Sequence, residues 1–240
     1  MHFEVIGSKI SVAVDKVHRF GTDAFLLADF AGYNKHDTVC DLGTGCGIIP
    51  LLMCKDPAKT PVKIYGVDIQ TEAIELLEQS VAHCKLEGKI TPICADLRNL
   101  IEGIPNSLTL VTCNPPYKRA GSGILPPNPA DQIARHEVMC NADDVCKAAK
   151  RLLRFGGRLC ICQRPERLAD MISAMRGAGI EPRRLRMVSK TPQTEPWLFL
   201  LEGVMGGKPF MRILPHLYIE DGENSGIYSE ELRNIYGQPE

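Results

Sequence analysis

The chain has 240 residues, of which 44% are hydrophobic and 24% charged, and its formal net charge is −1. This length suits one α/β domain with small additions, and the composition is that of an ordinary globular protein. No apolar run approaches the roughly 18 residues of a membrane span, and the first seven residues do not resemble a signal peptide. We therefore expect a single cytoplasmic domain over residues 1–240, with no membrane partner.

The ten cysteines do not follow a disulfide or metal-binding pattern. There is no Cys-x-x-Cys pair, and the closest two, Cys160 and Cys162, fall on the same face of an expected strand. We expect reduced thiols that pack as small apolar side chains, and no metal ion.

Charge is unevenly distributed along the chain. Residues 220–240 contain six acids and one base, whereas basic clusters occur at 147–158 and 183–190. A charge run usually forms a solvated face of a protein. The second basic cluster is nevertheless a candidate RNA contact, more so than the first.

Strand-forming and helix-forming segments alternate along most of the chain. The opening predicts a hairpin around Gly7 and a helix that begins at Thr22 or Asp23, which together make an N-terminal extension over residues 1–36. Strands are then predicted at 38–42, 63–68, 90–94, 108–113, 158–162, 183–189 and 197–202, and helices at 48–54, 71–86, 142–155 and 168–178. We place Gly156 and Gly157 at the end of the third of these helices. The C-terminal tail, residues 206–240, has no clear assignment.

This order predicts an α/β fold with a doubly wound, mostly parallel, seven-stranded sheet. The last two strands follow one another without a helix, so we expect a terminal antiparallel hairpin on that sheet. The long segment 118–134 is rich in glycine and proline, and it is a candidate functional loop.

A glycine-rich turn follows the first sheet strand, where residues 41–48 read D-L-G-T-G-C-G-I. Such glycines let the backbone turn tightly and approach a ligand closely. Asp68 ends the next strand, where an acid in these folds bonds ribose hydroxyls. NAD sites instead prefer G-x-G-x-x-G, and none of the tyrosines has the lysine four residues later that a short-chain oxidoreductase requires. The turn resembles motif I of class I methyltransferases, which implies S-adenosylmethionine as the cofactor.

The predicted cofactor site continues along the carboxyl ends of the following strands. Asp96 comes after the third strand, where the methyltransferase pattern places an acid on the adenine amine of S-adenosylmethionine. The alternative is that Asp96 caps a following helix. The predicted cofactor-binding residues are Asp41, Gly43, Thr44, Gly45, Gly47, Asp68, Ile69, Asp96, Leu97 and Asn114.

The most specific motif, Asn-Pro-Pro-Tyr, ends the fourth strand. An exocyclic amine on a base is a poor nucleophile, because its lone pair is delocalised into the ring. The Asn114 side-chain oxygen and the Pro115 carbonyl can accept its two N–H bonds, and prolines stiffen the turn. Tyr117 can stack on the base. We therefore predict Asn114, Pro115, Pro116 and Tyr117 as the catalytic residues.

The chain as a whole resembles the bacterial tRNA adenine-N6 methyltransferases that modify a valine tRNA next to its anticodon. The resemblance includes residues 20–28 (F-G-T-D-A-F-L-L-A), the Asn-Pro-Pro-Tyr motif, residues 134–137 (A-R-H-E) and residues 228–231 (Y-S-E-E). It implies the class I Rossmann-like fold, tRNA as the substrate and a target base flipped out of its stack.

The resemblance gives residues 135–137 importance without a defined role. They either order the loop 118–134 over the base or form a structural network at a helix start. The sequence does not fix the oligomeric state, and we expect a monomer. The predicted substrate-binding residues are Tyr117, Lys118, Arg119, Arg135, Arg183 and Arg184.

Three other functions remain open at this point. Protein glutamine N-methylation uses the same motif, but the 37 or so residues before the first sheet strand are few for a substrate-binding domain. Guanine-N2 methylation of ribosomal RNA generally has phenylalanine in place of Tyr117. A non-catalytic scaffold that binds S-adenosylmethionine would not need the polarising acceptors at Asn114.

Overall fold

The computed structural model describes residues 1–7, 10–115, 140–222 and 226–237. The elements, in chain order, are β1 (His2–Ile6), β2 (Ile10–Val14), α1 (Thr22–Phe30), β3 (Thr38–Leu42), α2 (Ile48–Leu52), β4 (Lys63–Asp68), α3 (Thr71–His83), β5 (Ile90–Cys94), β6 (Leu108–Cys113), α4 (Ala142–Leu152), β7 (Leu153–Gln163), a 3₁₀ turn (Pro165–Arg167), α5 (Leu168–Gly177), β8 (Ile180–Ser189), β9 (Pro196–Met205), β10 (Arg212–Ile213), β11 (Leu217–Tyr218) and α6 (Glu230–Tyr236).

The main sheet has the strand order β10-β8-β9-β7-β6-β3-β4-β5, and β11 also pairs with β8. Strands β3 to β7 are mutually parallel, whereas β9 runs antiparallel to both β7 and β8. The predicted α/β fold and its antiparallel hairpin are confirmed. Among the described residues the sheet has nine strands rather than the predicted seven, because the short strands β10 and β11 pair with β8. Because the order reverses at β3, the carboxyl ends of β3, β4 and β6 meet where ligands bind in open α/β sheets.

The sequence placed two helix ends three residues too late, because α3 ends at His83 rather than at 86 and α4 at Leu152 rather than at 155. Helix α4 stops at Leu152, and β7 begins at once because Leu153 pairs with Leu108. Gly156 has φ +77°, and a Cβ on Gly157 would lie 2.8 Å from the Leu108 carbonyl oxygen. These two glycines therefore allow a close crossing between β7 and β6, rather than ending a helix.

Two apolar layers cover the sheet. One is formed by α1, α2, α3 and β2, and the other by α4 and α5. All ten cysteines are free thiols, and seven of them are buried. Cys160 and Cys162 share the first layer while Ile161 belongs to the second, which confirms the predicted strand alternation.

The N-terminal hairpin packs on α3. Strands β1 and β2 pair in antiparallel register, and the Ala13 amide donates to Ser80 Oγ at 2.8 Å. Helix α1 begins at Thr22 after Gly21, without a side-chain cap, so the predicted capping by Thr22 or Asp23 is not found. Both side chains have other partners instead.

The C-terminal tail, which the sequence left unassigned, is tied to the sheet edge and to α1. Strands β10 and β11 extend the sheet beside β8, and Ser229 caps α6 by accepting from the Leu232 amide. The Tyr236 hydroxyl bonds the Thr22 hydroxyl at 2.8 Å, and its ring meets Phe25 edge-on at 4.7 Å. The Y-S-E-E segment therefore starts a helix that supports α1.

Candidate active site

The glycine turn after β3 leaves open space above its backbone. Gly43 and Gly45 have φ of +69° and +55°, and a Cβ at either position would meet nothing within 4 Å. Gly47 is different, since a Cβ there would lie 2.1 Å from Leu77 Cδ1 on α3. The first two glycines thus border space for a ligand, and Gly47 allows the following helix to pack closely.

A buried polar pair lies beneath this turn. Asp41 is 1% exposed, and the Thr112 hydroxyl donates to its Oδ1 at 2.6 Å. Burial raises the pKa of Asp41 to about 7, a shift opposed by the hydroxyl hydrogen bond and reinforced by nearby Asp68.

Asp68 stands at the carboxyl end of β4, as predicted. Its Oδ2 accepts from the Gly45 amide at 2.9 Å and its Oδ1 from the Gln70 amide at 3.0 Å. The carboxylate therefore joins the glycine turn to the start of α3. Each oxygen keeps acceptor capacity for a further donor such as a ribose hydroxyl.

Asp96 follows β5 and forms an ion pair that the sequence did not suggest. Both of its carboxylate oxygens accept from the Arg98 guanidinium, with Nη2 at 2.6 Å from Oδ2. The hydrogen bond from Arg98 lowers the pKa of Asp96 and keeps the carboxylate ionised as an acceptor. Residues 97–107 form turns and irregular backbone, so the alternative of a helix cap at Asp96 is wrong.

Asn114 immediately follows β6, and its amide is held at both ends. Its Nδ2 donates to Asp23 Oδ2 at 3.1 Å, and its Oδ1 lies 3.1 Å from Cys162 Sγ. A carboxylate can only accept, so Asp23 fixes which end of the amide is the nitrogen. The other end, Oδ1, is then the acceptor that the predicted chemistry requires. Pro115 is buried beside it.

Asp23 is the site residue that the sequence analysis missed. It belongs to the F-G-T-D-A-F-L-L-A segment, but it had been considered only as a helix cap. Asp23 and Asn114 are 91 residues apart, and helix α1 brings the carboxylate over the end of β6. The signal in the sequence was the family resemblance of that segment, but this resemblance does not identify Asn114 as the partner of Asp23.

Two further residues that were predicted to bind the cofactor lie next to the strand-end acids. Ile69, next to Asp68, is 39% exposed, and Leu97, next to Asp96, is buried in the second apolar layer. A backbone hydrogen bond joins the segments that carry these two residues, since the Ala95 amide donates to the Asp68 carbonyl oxygen at 2.9 Å. The residues predicted to bind the cofactor are thus gathered at the carboxyl ends of β3 to β6.

The predicted substrate residues divide into two groups. Arg183 donates to the Lys208 carbonyl, while Arg184 is bound to Glu202 and to the Phe30 carbonyl, at the amino-terminal half of β8. Neither is beside Asn114. The remaining residues predicted to take part in catalysis or substrate binding lie outside the described residues, and they are Pro116, Tyr117, Lys118, Arg119, Arg135, His136 and Glu137.

The site has the groups that S-adenosylmethionine requires. The open space over Gly43 and Gly45 and the strand-end carboxylate of Asp68 fit its methionine and ribose moieties. No group of three metal-ligating side chains is found within the described ranges. In the same ranges, no helix is long and apolar enough to cross a membrane.

Fold and site together define a class I S-adenosylmethionine-dependent methyltransferase. The model of the methyltransferase small domain family matches residues 18–176, which is more than half of the chain. The chain belongs to this family.

Individual proteins extend the comparison. The chain is 24% identical over 195 residues to a tRNA1(Val) (adenine(37)-N6)-methyltransferase of Parabacteroides distasonis, covering 81% of this chain and 80% of that protein. It is 27% identical to the protein of the same name from Tolumonas auensis, covering 76% and 75%. The crystal structure of a predicted O-methyltransferase from Agrobacterium tumefaciens superposes with a TM-score of 0.71 at 17% identity, over 90% of this chain and 96% of that one. This last likeness concerns the fold alone.

Proposed function

We propose that the protein transfers a methyl group from S-adenosylmethionine to the N6 amine of an adenine in tRNA, next to the anticodon. The observation that carries the proposal is the Asn114 amide, whose oxygen is oriented by Asp23 at the end of β6, beside the glycine turn. The names of the relatives, tRNA1(Val) (adenine(37)-N6)-methyltransferases, support the same substrate. We further propose that it works as a monomer in the cytoplasm, where its ten free thiols stay reduced.

The chain's own residues would position and polarise the amine. When bound, S-adenosylmethionine supplies an electrophilic methyl group. Asn114 Oδ1 accepts one N–H of the amine, and this draws the nitrogen towards tetrahedral geometry with its lone pair directed at the methyl carbon. Pro115 and Tyr117 are proposed to supply the second acceptor and a stacking surface. Because the proton leaves only after the nitrogen has become cationic, no general base is needed before attack.

The test is methyl transfer from labelled S-adenosylmethionine to RNA that lacks this modification, followed by nucleoside digestion and mass spectrometry. We expect N6-methyladenosine in the tRNA fraction. Label in N2-methylguanosine, in protein glutamine or in no product would contradict the proposal, and the first two would identify the acceptor.

The matched variant is Asn114→Ala. Losing one polarising acceptor should reduce turnover by about 10²–10³-fold, as for other groups that stabilise developing charge. Affinity for S-adenosylmethionine, measured by calorimetry, should stay near that of the wild type, since the Asn114 oxygen is proposed to face the acceptor. A comparable loss of cofactor affinity would instead support the prediction from the sequence that Asn114 also binds the cofactor.

A further inference from the structure

A groove of about 580 Å³ opens beside the proposed catalytic residues. Asp23 links the groove to Asn114, because it lines the groove and accepts a hydrogen bond from the Asn114 amide. The volume is in the range of small-ligand pockets. Among the described residues, the lining comes from the start of α1, the β8–β9 connection, β9 and the segment after β11. These residues are Gly21, Thr22, Asp23, Lys190, Thr194, Glu195, Trp197 and Ile219.

Trp197, the only tryptophan of the chain, is placed in this groove by an irregularity in β9. Val188 of β8 pairs with Leu198, but the next residue, Ser189, pairs with Pro196, so Trp197 is the extra residue of the register. Trp197 and Leu198 consequently both pack against the first apolar layer, although neighbours in a regular strand face opposite sides. Bulges commonly redirect a side chain next to a functional site.

Arg164 fixes the tryptophan and brings a positive charge to it. Its Nη1 donates to the Trp197 carbonyl at 3.1 Å, and its guanidinium carbon lies 5.5 Å from the centre of the indole ring. An aromatic ring with an adjacent cation is the combination that single-stranded nucleic acid sites use to stack bases.

The charged residues of the groove favour a base over a phosphate as its ligand. Asp23 and Glu195 line it, and their carboxylates would repel a phosphate but accept hydrogen bonds from a base. Lys190, which also lines the groove, is 59% exposed and pairs with Glu220 at 3.1 Å. Its exposed ammonium can also contact a backbone phosphate at the groove mouth.

We propose that this groove binds an unpaired nucleotide of the RNA substrate adjacent to the methylated one, with its base stacked on Trp197. The inference rests on the proposed function and adds a substrate subsite to it. The nucleotide would hold the strand next to the flipped target base, so that the amine is presented to Asn114. Trp197 is then a substrate-binding residue and does not contact the reacting atoms.

The fluorescence of the wild-type protein reports directly on this subsite, because Trp197 is its single tryptophan. Titration with an unmodified tRNA transcript, and with a short single-stranded RNA, should quench the emission in a saturable, salt-dependent manner. S-adenosylmethionine alone should leave the emission unchanged. The proposal would be overturned if the cofactor alone quenched the emission, or if an RNA that the enzyme methylates did not quench it.

Kinetics with three variants give the second measurement. Trp197→Ala should raise the KM for tRNA by roughly 5- to 150-fold, the range for one lost base-stacking contact, with the cofactor Kd unchanged. Trp197→Phe keeps a stacking surface and should recover most of the affinity. Phe155→Ala removes an exposed aromatic ring outside the groove, on β7, and should leave the KM unchanged.

The two proposals fail in different ways. If the wild type methylates tRNA while Trp197→Ala has a normal KM, or Phe155→Ala raises the KM equally, the groove proposal is wrong and the function stands. If the wild type methylates no RNA, both are wrong. Should Trp197→Ala fail to fold, the wild-type titration and Trp197→Phe still decide the question.

Discussion

The amide nitrogen of Asn114 donates to the carboxylate of Asp23 at 3.1 Å, across 91 residues of sequence. An isolated asparagine can turn either end of its amide towards a ligand, because the two ends are almost equal in size. Asp23 removes this freedom by accepting from the nitrogen. Cys162 Sγ, on the opposite side, can donate to the oxygen and favours the same orientation.

Asp23→Asn should therefore impair catalysis without disturbing the cofactor. The new amide can donate as well as accept, so it no longer fixes the orientation of Asn114. Hydrogen bonds to charged groups contribute about 1.5–3 kcal/mol, which corresponds to a kcat reduction of roughly 10- to 150-fold. The measurement is kcat and KM for tRNA, with the S-adenosylmethionine Kd from calorimetry expected to be unchanged.

A double-mutant cycle separates positioning from a purely structural role. If Asp23 acts through Asn114, adding Asp23→Asn to Asn114→Ala should produce no further loss of kcat. Additive losses would show that Asp23 contributes independently of Asn114.

Gly47 and Gly45 are two glycines of one turn for which we expect different outcomes. Gly47→Ala places a Cβ 2.1 Å from Leu77, and this overpacking should cost about 1–3 kcal/mol in addition to left-handed strain. Gly45→Ala meets no atom and should cost only the strain, roughly 1–2 kcal/mol, but its methyl group enters the proposed cofactor space. Denaturation and calorimetry should thus show Gly47→Ala as the less stable variant. Unchanged cofactor binding in Gly45→Ala would contradict the proposed site.

The pH dependence of stability should contain a contribution from Asp41. Burial raises the pKa of Asp41 to about 7 from its ordinary value of 3.8, so the folded state holds this proton more tightly than the unfolded state. The stabilisation that protonated Asp41 contributes is fully present below about pH 4, and it is lost as the pH rises through about 7.

Asp41→Asn removes this titration, while its side-chain oxygen can still accept from Thr112. The free energy of unfolding, measured by denaturant titration at several pH values, should increasingly favour the variant as the pH rises from 4 to 8. Parallel pH curves for the two proteins would contradict the assignment.

Arg184 and Arg183 are adjacent but should respond differently to charge reversal. Arg184 pairs with the buried Glu202, so Arg184→Glu should destabilise the fold by roughly 3 kcal/mol or more. Arg183 bonds the Lys208 carbonyl and lies over the exposed Phe210 ring at the surface, so Arg183→Glu should have little effect on stability. If Arg183 contacts RNA, its reversal should weaken tRNA binding and reduce the salt dependence of that binding. An unchanged affinity and salt slope would remove Arg183 from the RNA surface.

The sequence by itself determined the sheet, the glycine turn and the identity of the strand-end residues. Alternating strands and helices permit few topologies, and the acids at Asp41 and Asp68 follow from where parallel strands end. Asn114 was found because its motif is contiguous in the chain. Such features are local, and local patterns can be read without knowing what lies opposite them.

Only the tertiary structure showed which residues, distant in the sequence, come into contact in the fold. The Asp23 partner of Asn114 depends on how α1 crosses the sheet, and the position of Trp197 depends on a register shift between two strands. Similarly, Arg184 appeared in the sequence as part of a basic run, but the fold pairs it with Glu202. Hydrogen bonds and ion pairs between distant segments depend on packing geometry, which composition and periodicity do not encode.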